Sequence, residues 1–165
     1  MDFNFDTESK SHLIRKILLG SFIWAVQIAA VIFLAYIIIF YALEKTNMIG
    51  ISMENGLQDQ DAIIIDKFTY HFNEPKRFDV IVFKQSGREH SYYNVKRIIG
   101  LPGERIQLKE DGIYINGELI EDIVDAEPML NYGLAKEELQ LEENEYFVLG
   151  DNRNNSEDSR FASIG

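Results

Sequence analysis

Residues 17 to 43 read ILLGSFIWAVQIAAVIFLAYIIIFYAL, 27 consecutive positions without a charged side chain. As an α-helix rising about 1.5 Å per residue, the stretch can cross a hydrocarbon core of about 30 Å with some tilt. A cleavable leader has an apolar region of only about 7 to 15 residues and a small-residue exit site. Here Glu44-Lys45-Thr46-Asn47 follows directly. The stretch therefore reads as a membrane anchor, longer than an ordinary buried core helix. Gln27 is its one strongly polar residue, suited to a helix contact and too isolated for an ion pathway.

Outward from the anchor, the flanks set an orientation. Lys10, Arg15 and Lys16 precede it and Lys45 alone follows closely. The positive-inside rule then expects residues 1 to 16 in the cytoplasm and residues 44 to 165 on the outer side of the cell membrane; Asp2, Asp6 and Glu8 count little in that rule. The N-terminal tail is neutral, so the net charge of −11 falls on residues 44 to 165, where 13 Lys and Arg face 24 Asp and Glu. So acidic a domain is repelled by phosphate backbones, which argues against nucleic acid as a partner. Cysteine is absent, which excludes disulfides, thiol catalysis and Cys-based metal sites.

The remainder reads as mostly β. Ala62 to Ile65, Phe78 to Phe83 and Tyr92 to Ile99 are short β-branched and aromatic runs, the last stopped by Gly100-Leu101-Pro102-Gly103. Ile113-Tyr114-Ile115 and Glu118-Leu119-Ile120 flank Asn116-Gly117, the signature of a two-residue hairpin. Residues 121 to 145 are acidic and partly irregular, with a helical turn expected at Ala135 to Leu139. Tyr146 to Leu149 is a last strand entering the turn-rich run from Gly150 to Ser156. The expected architecture is one transmembrane helix followed by an antiparallel β-sheet domain, residues 46 to 105 and 146 to 165, with a small β insertion over roughly 106 to 145.

Two candidate chemistries fail on pattern. His71 and His90 lie in polar stretches without a nucleophile signature, as solvated loop histidines do. The Asp- and Asn-rich run from Asp151 invites calcium, but an EF-hand loop needs Asp or Asn at its third position and an acid at its twelfth. Those positions hold Arg153 and Ala162. No metal or other cofactor is expected, and a loop that hydrogen-bonds its own backbone is the better reading.

Three motifs in order carry more weight: Gly50-Ile51-Ser52-Met53, then Lys96-Arg97-Ile98-Ile99-Gly100-Leu101-Pro102-Gly103-Glu104, then Gly150-Asp151-Asn152-Arg153-Asn154-Asn155-Ser156-Glu157-Asp158-Ser159-Arg160. After one N-terminal span, this set resembles the type I signal peptidases of Gram-positive bacteria, membrane-anchored Ser/Lys proteases that remove secretory signal peptides. The resemblance implies Ser52 as nucleophile and Lys96 as general base. It implies that Ser156 lies near the lysine and orients its amine, that Asp158 and Arg160 maintain the site, and that the Ser52 N–H is the oxyanion donor. Gly50 stands where some relatives carry a hydroxyl residue and offers no second donor. Exported preproteins and the lipid bilayer are the implied partners, with the export machinery a further candidate. An alternative within the same resemblance is a catalytically silent homologue that serves as a chaperone in pilus or surface-polymer assembly, although such members usually lose the serine or the lysine.

The chemistry of the dyad sets a requirement. Lysine with its ordinary pKa of about 10.4 is neutral in only about one molecule in a thousand near pH 7.5, so a working base needs a bias of about 4 kcal/mol towards the neutral amine. Burial among apolar side chains supplies such a bias. Val95, Ile98 and Ile99 surround Lys96 in sequence, whereas Asp158 and Arg160, two residues apart, could equally be an exposed pair worth under about 1 kcal/mol.

Departures from the family pattern are local. Asn55-Gly56-Leu57 replaces Pro-Thr-Leu, so a φ-fixing proline is exchanged for a permissive glycine. Asn94 stands for a frequent Tyr and Gln60-Asp61 for Gly-Asp, and relatives continue past Gly165 into one more strand. From Leu43 to Ser52 the chain extends at most about 30 Å, which places the nucleophile near the membrane surface. Cleavage sites with small residues one and three before the scissile bond imply shallow apolar subsites and an extended substrate pairing with a strand edge.

Overall fold

The computed structural model describes residues 5–84 and 93–164. His90, Tyr92 and the first four residues of the N-terminal tail lie outside the described residues.

Helix α1 runs Phe5–Ala42. Between His12 and Ala42 it is long and apolar enough to cross a membrane, and among the described residues it is the one helix that is. Phe22, Trp24, Val31, Phe33 and Tyr41 are exposed on all sides of it, as expected of a helix whose solvent is lipid and whose surface has no polar face. The helix ends one residue before the apolar run does, because Leu43 enters strand β1 (Leu43–Asn47).

Lys45–Gly165 forms a separate compact unit. Strand β1 pairs with β2 (Ala62–Asp66) in a two-stranded sheet. A three-stranded sheet has the order β3-β4-β9, with β3 Val80–Lys84, β4 Tyr93–Gly100 and β9 Phe147–Leu149. Lys96 of β4 is held opposite Ile81 of β3, and Arg97 lies between Val80 and Leu149. The register between β4 and β9 shifts at Ile99, between the pairs Ile98 with Val148 and Gly100 with Phe147. A four-stranded antiparallel sheet, order β7-β6-β5-β8, is built from β5 (Arg105–Lys109), β6 (Gly112–Ile115), β7 (Glu118–Ile120) and β8 (Leu139–Gln140). Beyond α1 the architecture is antiparallel β, the expected class.

The hairpin forms where Asn-Gly places it. Asn116 and Gly117 have φ of 53° and 85°, both positive as a type I′ turn requires. Other boundaries shift for identifiable reasons. The strand expected from Phe78 begins only at Val80, because Phe78 takes a φ of 72° and the Asp79 carboxylate accepts hydrogen bonds from the Lys76 N–H and the Tyr70 hydroxyl, 2.9 Å each. The expected helical turn at Ala135 is a 3-10 turn, Gly133–Lys136, ending before Leu139 joins β8. Strand β1 is too polar to show alternation, whereas β5, Arg-Ile-Gln-Leu-Lys, does alternate, with Ile106 and Leu108 buried, and adds a strand to the expected runs.

Ile99, Phe147 and Leu149 of the three-stranded sheet share one core with Ile106, Leu108, Ile113 and Ile115 of the four-stranded sheet. A smaller core of Met48, Met53 and Val95, flanked by Leu57, Ile63 and Val82, lies beneath the turn that carries Ser52.

Candidate active site

Ser52 stands in a tight turn anchored on both sides. Gly50, with φ of 92°, donates its N–H to Asp59 Oδ1 at 2.8 Å, while Met53 is wholly buried and its carbonyl accepts from Gly56 and Leu57. Met53 acts as a peg in the small core, and its neighbour Ser52 is part-buried. The carbonyl of Ser52 accepts the Asn152 N–H at 3.1 Å, and the Asn152 side chain donates to Ile51 O at 3.1 Å and Glu54 Oε2 at 3.3 Å. One asparagine thereby ties the nucleophile turn to the loop that follows β9.

Lys96 comes from the middle of β4, only 4% exposed. Its Nζ lies 2.9 Å from Ser52 Oγ and 3.1 Å from the Val95 carbonyl oxygen. Burial holds the Lys96 amine below the ordinary lysine range, against a smaller opposing pull from the carboxylates of Asp158 and Glu157. The apolar environment required of a base is present.

The next residue, Arg97, has a different task. Its Nε and Nη2 meet the two carboxylate oxygens of Asp151 at 2.8 and 2.6 Å, and its Nη1 donates to Phe78 O at 2.9 Å. The Asp151 hydrogen bond raises the guanidinium pKa further. A bidentate pair of this kind is among the stronger polar contacts in proteins. Gly56 is required beside it, since a Cβ there would collide with the Asp151 carboxylate. Asn55 precedes it with φ of 89°, a value closed to proline. The departure from Pro-Thr thus gives a turn of different shape that receives the Asp151 carboxylate against bare backbone.

The loop from Gly150 to Arg160 has no regular secondary structure and buries four charged residues, Asp151, Arg153, Asp158 and Arg160, each at most 3% exposed. Asp158 Oδ1 accepts Arg160 Nε at 2.8 Å, and its Oδ2 accepts Arg160 Nη2 at 2.9 Å and the Gly150 N–H at 3.1 Å. Arg160 also donates to the carbonyls of Arg153 and Asn131, at 2.6 and 2.9 Å. The exposed-pair alternative for Asp158 and Arg160 is therefore incorrect, because each half of the pair closes several backbone groups in the interior.

Ser156 differs in detail from what the resemblance implies. Its Oγ is buried and, among the described residues, makes no hydrogen bond, with Lys96 or otherwise. It packs at Gly150, where a Cβ would collide with both Ser156 and the Ser52 carbonyl oxygen. The hydroxyl is next to the nucleophile's backbone and is not placed on the amine. His71 closes a 3-10 turn, Thr69–His71, and has no part in the cluster.

Arg77 and Asp122 carry no motif signal, and Glu104, which closes the second motif, has no role assigned by it. Arg77 forks onto Glu104, Nη2 to Oε1 at 2.5 Å and Nη1 to Oε2 at 2.9 Å, and donates to Ile99 O at 2.5 Å, fixing the turn that ends β4. Burial raises the Glu104 carboxyl, but Arg77 and the Leu101 N–H outweigh it and leave the group below its usual range. Asp122, from the acidic stretch, pairs with buried Arg153 at 2.7 Å.

A serine hydroxyl on a buried lysine amine, with the serine's backbone clamped from a loop of paired charges, defines a candidate Ser/Lys hydrolytic centre. The chain belongs to the signal peptidase family, peptidase S26, which matches residues 21–165. It is 37% identical over 115 residues to a probable signal peptidase I-2 of a Synechocystis strain (67% of this chain, 51% of the relative). To a signal peptidase I of Leptolyngbya laminosa it is 40% identical over 117 residues (67% and 56%). To a signal peptidase I of Bacillus licheniformis it is 33% identical over 151 residues (84% and 77%). The chain thus spans about half the length of the two cyanobacterial relatives. A solved signal peptidase I from Enterococcus faecalis is 34% identical, covers 54% of this chain and 86% of its own, and superposes with a TM-score of 0.44.

Proposed function

We propose that this protein is a membrane-bound serine endopeptidase that removes N-terminal signal peptides from exported preproteins, with Ser52 as nucleophile and Lys96 as general base. The observation that carries the reading is the 2.9 Å contact between Lys96 Nζ and Ser52 Oγ, made by a lysine whose burial favours the neutral amine. Family membership supports the substrate class.

In the proposed reaction the Ser52 hydroxyl donates its proton to neutral Lys96 Nζ as Oγ attacks the scissile carbonyl carbon. The Ser52 N–H stabilises the developing oxyanion. The lysine ammonium then gives its proton to the departing amine of the mature protein, leaving the signal peptide esterified on Ser52. Water, deprotonated by the again neutral lysine, hydrolyses that ester and restores the serine. Asn152 fixes the Ser52 backbone, and the Arg97–Asp151 pair fixes strand β4 against the loop that bears Asn152.

The proposed placement is a single pass through the cell membrane, with the tail before the span in the cytoplasm and residues 44 to 165 outside, supported by Lys10, Arg15 and Lys16 ahead of it. Glu44 to Gly165 is the proposed catalytic domain, with the four-stranded sheet as its insertion. The reading is tested by incubating the full-length protein in detergent with a preprotein. Wild type should release mature protein and Ser52→Ala should not, with both equally folded. Processing that survives loss of Ser52 would overturn the assignment.

A further inference from the structure

The acidic segment after β7 has no assigned task, yet it is stitched to the loop that holds the nucleophile. Asp122 Oδ2 meets Arg153 Nη1 at 2.7 Å and Asp122 Oδ1 meets Arg153 Nη2 at 3.1 Å, a two-pronged pair. The contacts continue along the chain. Asn154 donates to the Pro128 carbonyl at 3.1 Å and accepts the Leu130 N–H at 2.9 Å, Arg160 donates to Asn131 O at 2.9 Å, and the Arg160 carbonyl accepts the Leu134 N–H at 2.9 Å. Residues 122 to 134 therefore lie as a strap along the catalytic loop, and among these contacts Asp122 with Arg153 is the one in which both partners are charged.

The position of Arg153 gives this pair its leverage. The residue before it, Asn152, holds the Ser52 carbonyl, and the one before that, Asp151, holds Arg97 beside Lys96. Arg153 is 3% exposed and its Nε has no partner among the described residues, so Asp122 is the counter-charge of a guanidinium that cannot turn to water. Removal of one partner of a buried pair leaves the other uncompensated, and the backbone around it must move or admit water. We propose that Asp122 is a positioning residue for the Ser52 and Lys96 site, acting through Arg153 to hold Asn152 on the nucleophile turn. The catalytic part of this inference rests on the function proposed above.

The test uses the full-length protein in detergent, with Asp122→Asn, Asp122→Glu and, as a control, Glu121→Gln at the neighbouring exposed carboxylate. Hydrogen exchange reads the loop directly. Asp122→Asn should speed exchange of the Asn152 to Asn155 amides about tenfold while the β5 and β6 amides keep their wild-type rates. On a preprotein-derived peptide, kcat should fall about tenfold with KM within about twofold, because the nucleophile is misplaced and the substrate's own contacts remain.

The pH profile adds a readout that general instability would not move. The groups facing Lys96 are Ser52 and the carboxylates of Glu157 and Asp158. A loosened loop takes the carboxylates away, which lowers the amine pKa, and admits water, which raises it. Burial is the larger influence, so the activity midpoint should move to higher pH. Asp122→Glu should recover kcat to within about threefold of wild type, and Glu121→Gln should change nothing.

If the single variant does not fold, Asp122→Asn combined with Arg153→Gln removes the clamp without an orphaned charge, and the same loop exchange and kcat loss are expected of it. Wild-type exchange and kcat in either folded variant would overturn the proposal. So would faster exchange spread equally over β5 and β6, which would make Asp122 a residue of general stability. Should wild type show no Ser52-dependent hydrolysis, the functional reading fails, while the exchange measurement still decides whether Asp122 holds the loop.

Discussion

The hairpin of β6 and β7 and the loop from Gly150 to Arg160 are both punctuated by Gly, Asn and Asp, yet they are held together in opposite ways. The hairpin is local: three facing pairs from Ile113 with Ile120 to Ile115 with Glu118, closed by two positive-φ residues. The loop is held from outside, by Arg97 from β4, Asp122 and Asn131 from the acidic segment, and its own Asp158 and Arg160. Turn composition alone does not distinguish a surface turn from a buried scaffold. What distinguishes them is whether charged side chains find enough partners to leave water, and that depends on residues distant in sequence.

Substitutions in the two regions should separate accordingly. The largest effect is expected at the groups the loop positions. Lys96→Arg keeps a cation but cannot supply a neutral base near pH 8, so preprotein cleavage should be undetectable in a folded protein. An active Arg variant would show that position 96 provides only charge. Within the loop, Asp158→Ala takes the counter-charge from the buried Arg160 guanidinium and the acceptor from the Gly150 N–H, and denaturant unfolding should show a loss of about 3–5 kcal/mol.

In the hairpin, Gly117→Ala forces a side chain onto a φ of 85° and should cost about 1–2 kcal/mol. An equal cost at Gly117 and Asp158 would remove the distinction drawn between the regions. The exposed pair of Arg105 with Glu138, whose side chains are 48% and 45% exposed, should matter least, with Glu138→Gln within about 0.5 kcal/mol of wild type.

The same comparison explains what the sequence discloses. The apolar helix, the β class and the Asn-Gly hairpin follow from composition and periodicity, which are local properties. Ser52 and Lys96, 44 positions apart, are singled out by motif resemblance, and the structure brings them within hydrogen-bonding distance. Asp122 and Glu104 are different. Asp122 is one acid among many, Glu104 ends a motif that gives it no role, and each takes its meaning from the arginine it meets 31 or 27 positions away. The Asn55-Gly56 turn reads as a lost proline in sequence, whereas in space it makes room for the Asp151 carboxylate. Burial of Asp158 and Arg160 is equally silent in the sequence, because an Asp-x-Arg spacing is the same on a surface as in a core.

Lysine burial also has a consequence for stability. The Lys96 pKa is lowered on folding, so the folded state favours the neutral amine. Stability from this group is complete above the ordinary lysine pKa of about 10.4 and is lost as pH falls through the lowered value. Lys96→Met should therefore unfold at higher denaturant than wild type at neutral pH, and the gap should narrow as the solution is made alkaline. A gap that does not change with pH would mean that the amine is solvated.

A buried lysine acting as base on Ser52 governs the pH dependence of kcat/KM for preprotein cleavage, which can be measured from pH 6 to 11 on the full-length protein in detergent. The rate should rise as Lys96 loses its proton, with a midpoint well below the ordinary value of about 10.4. A midpoint near 10.4, or a rate independent of pH over this range, would contradict Lys96 as the base.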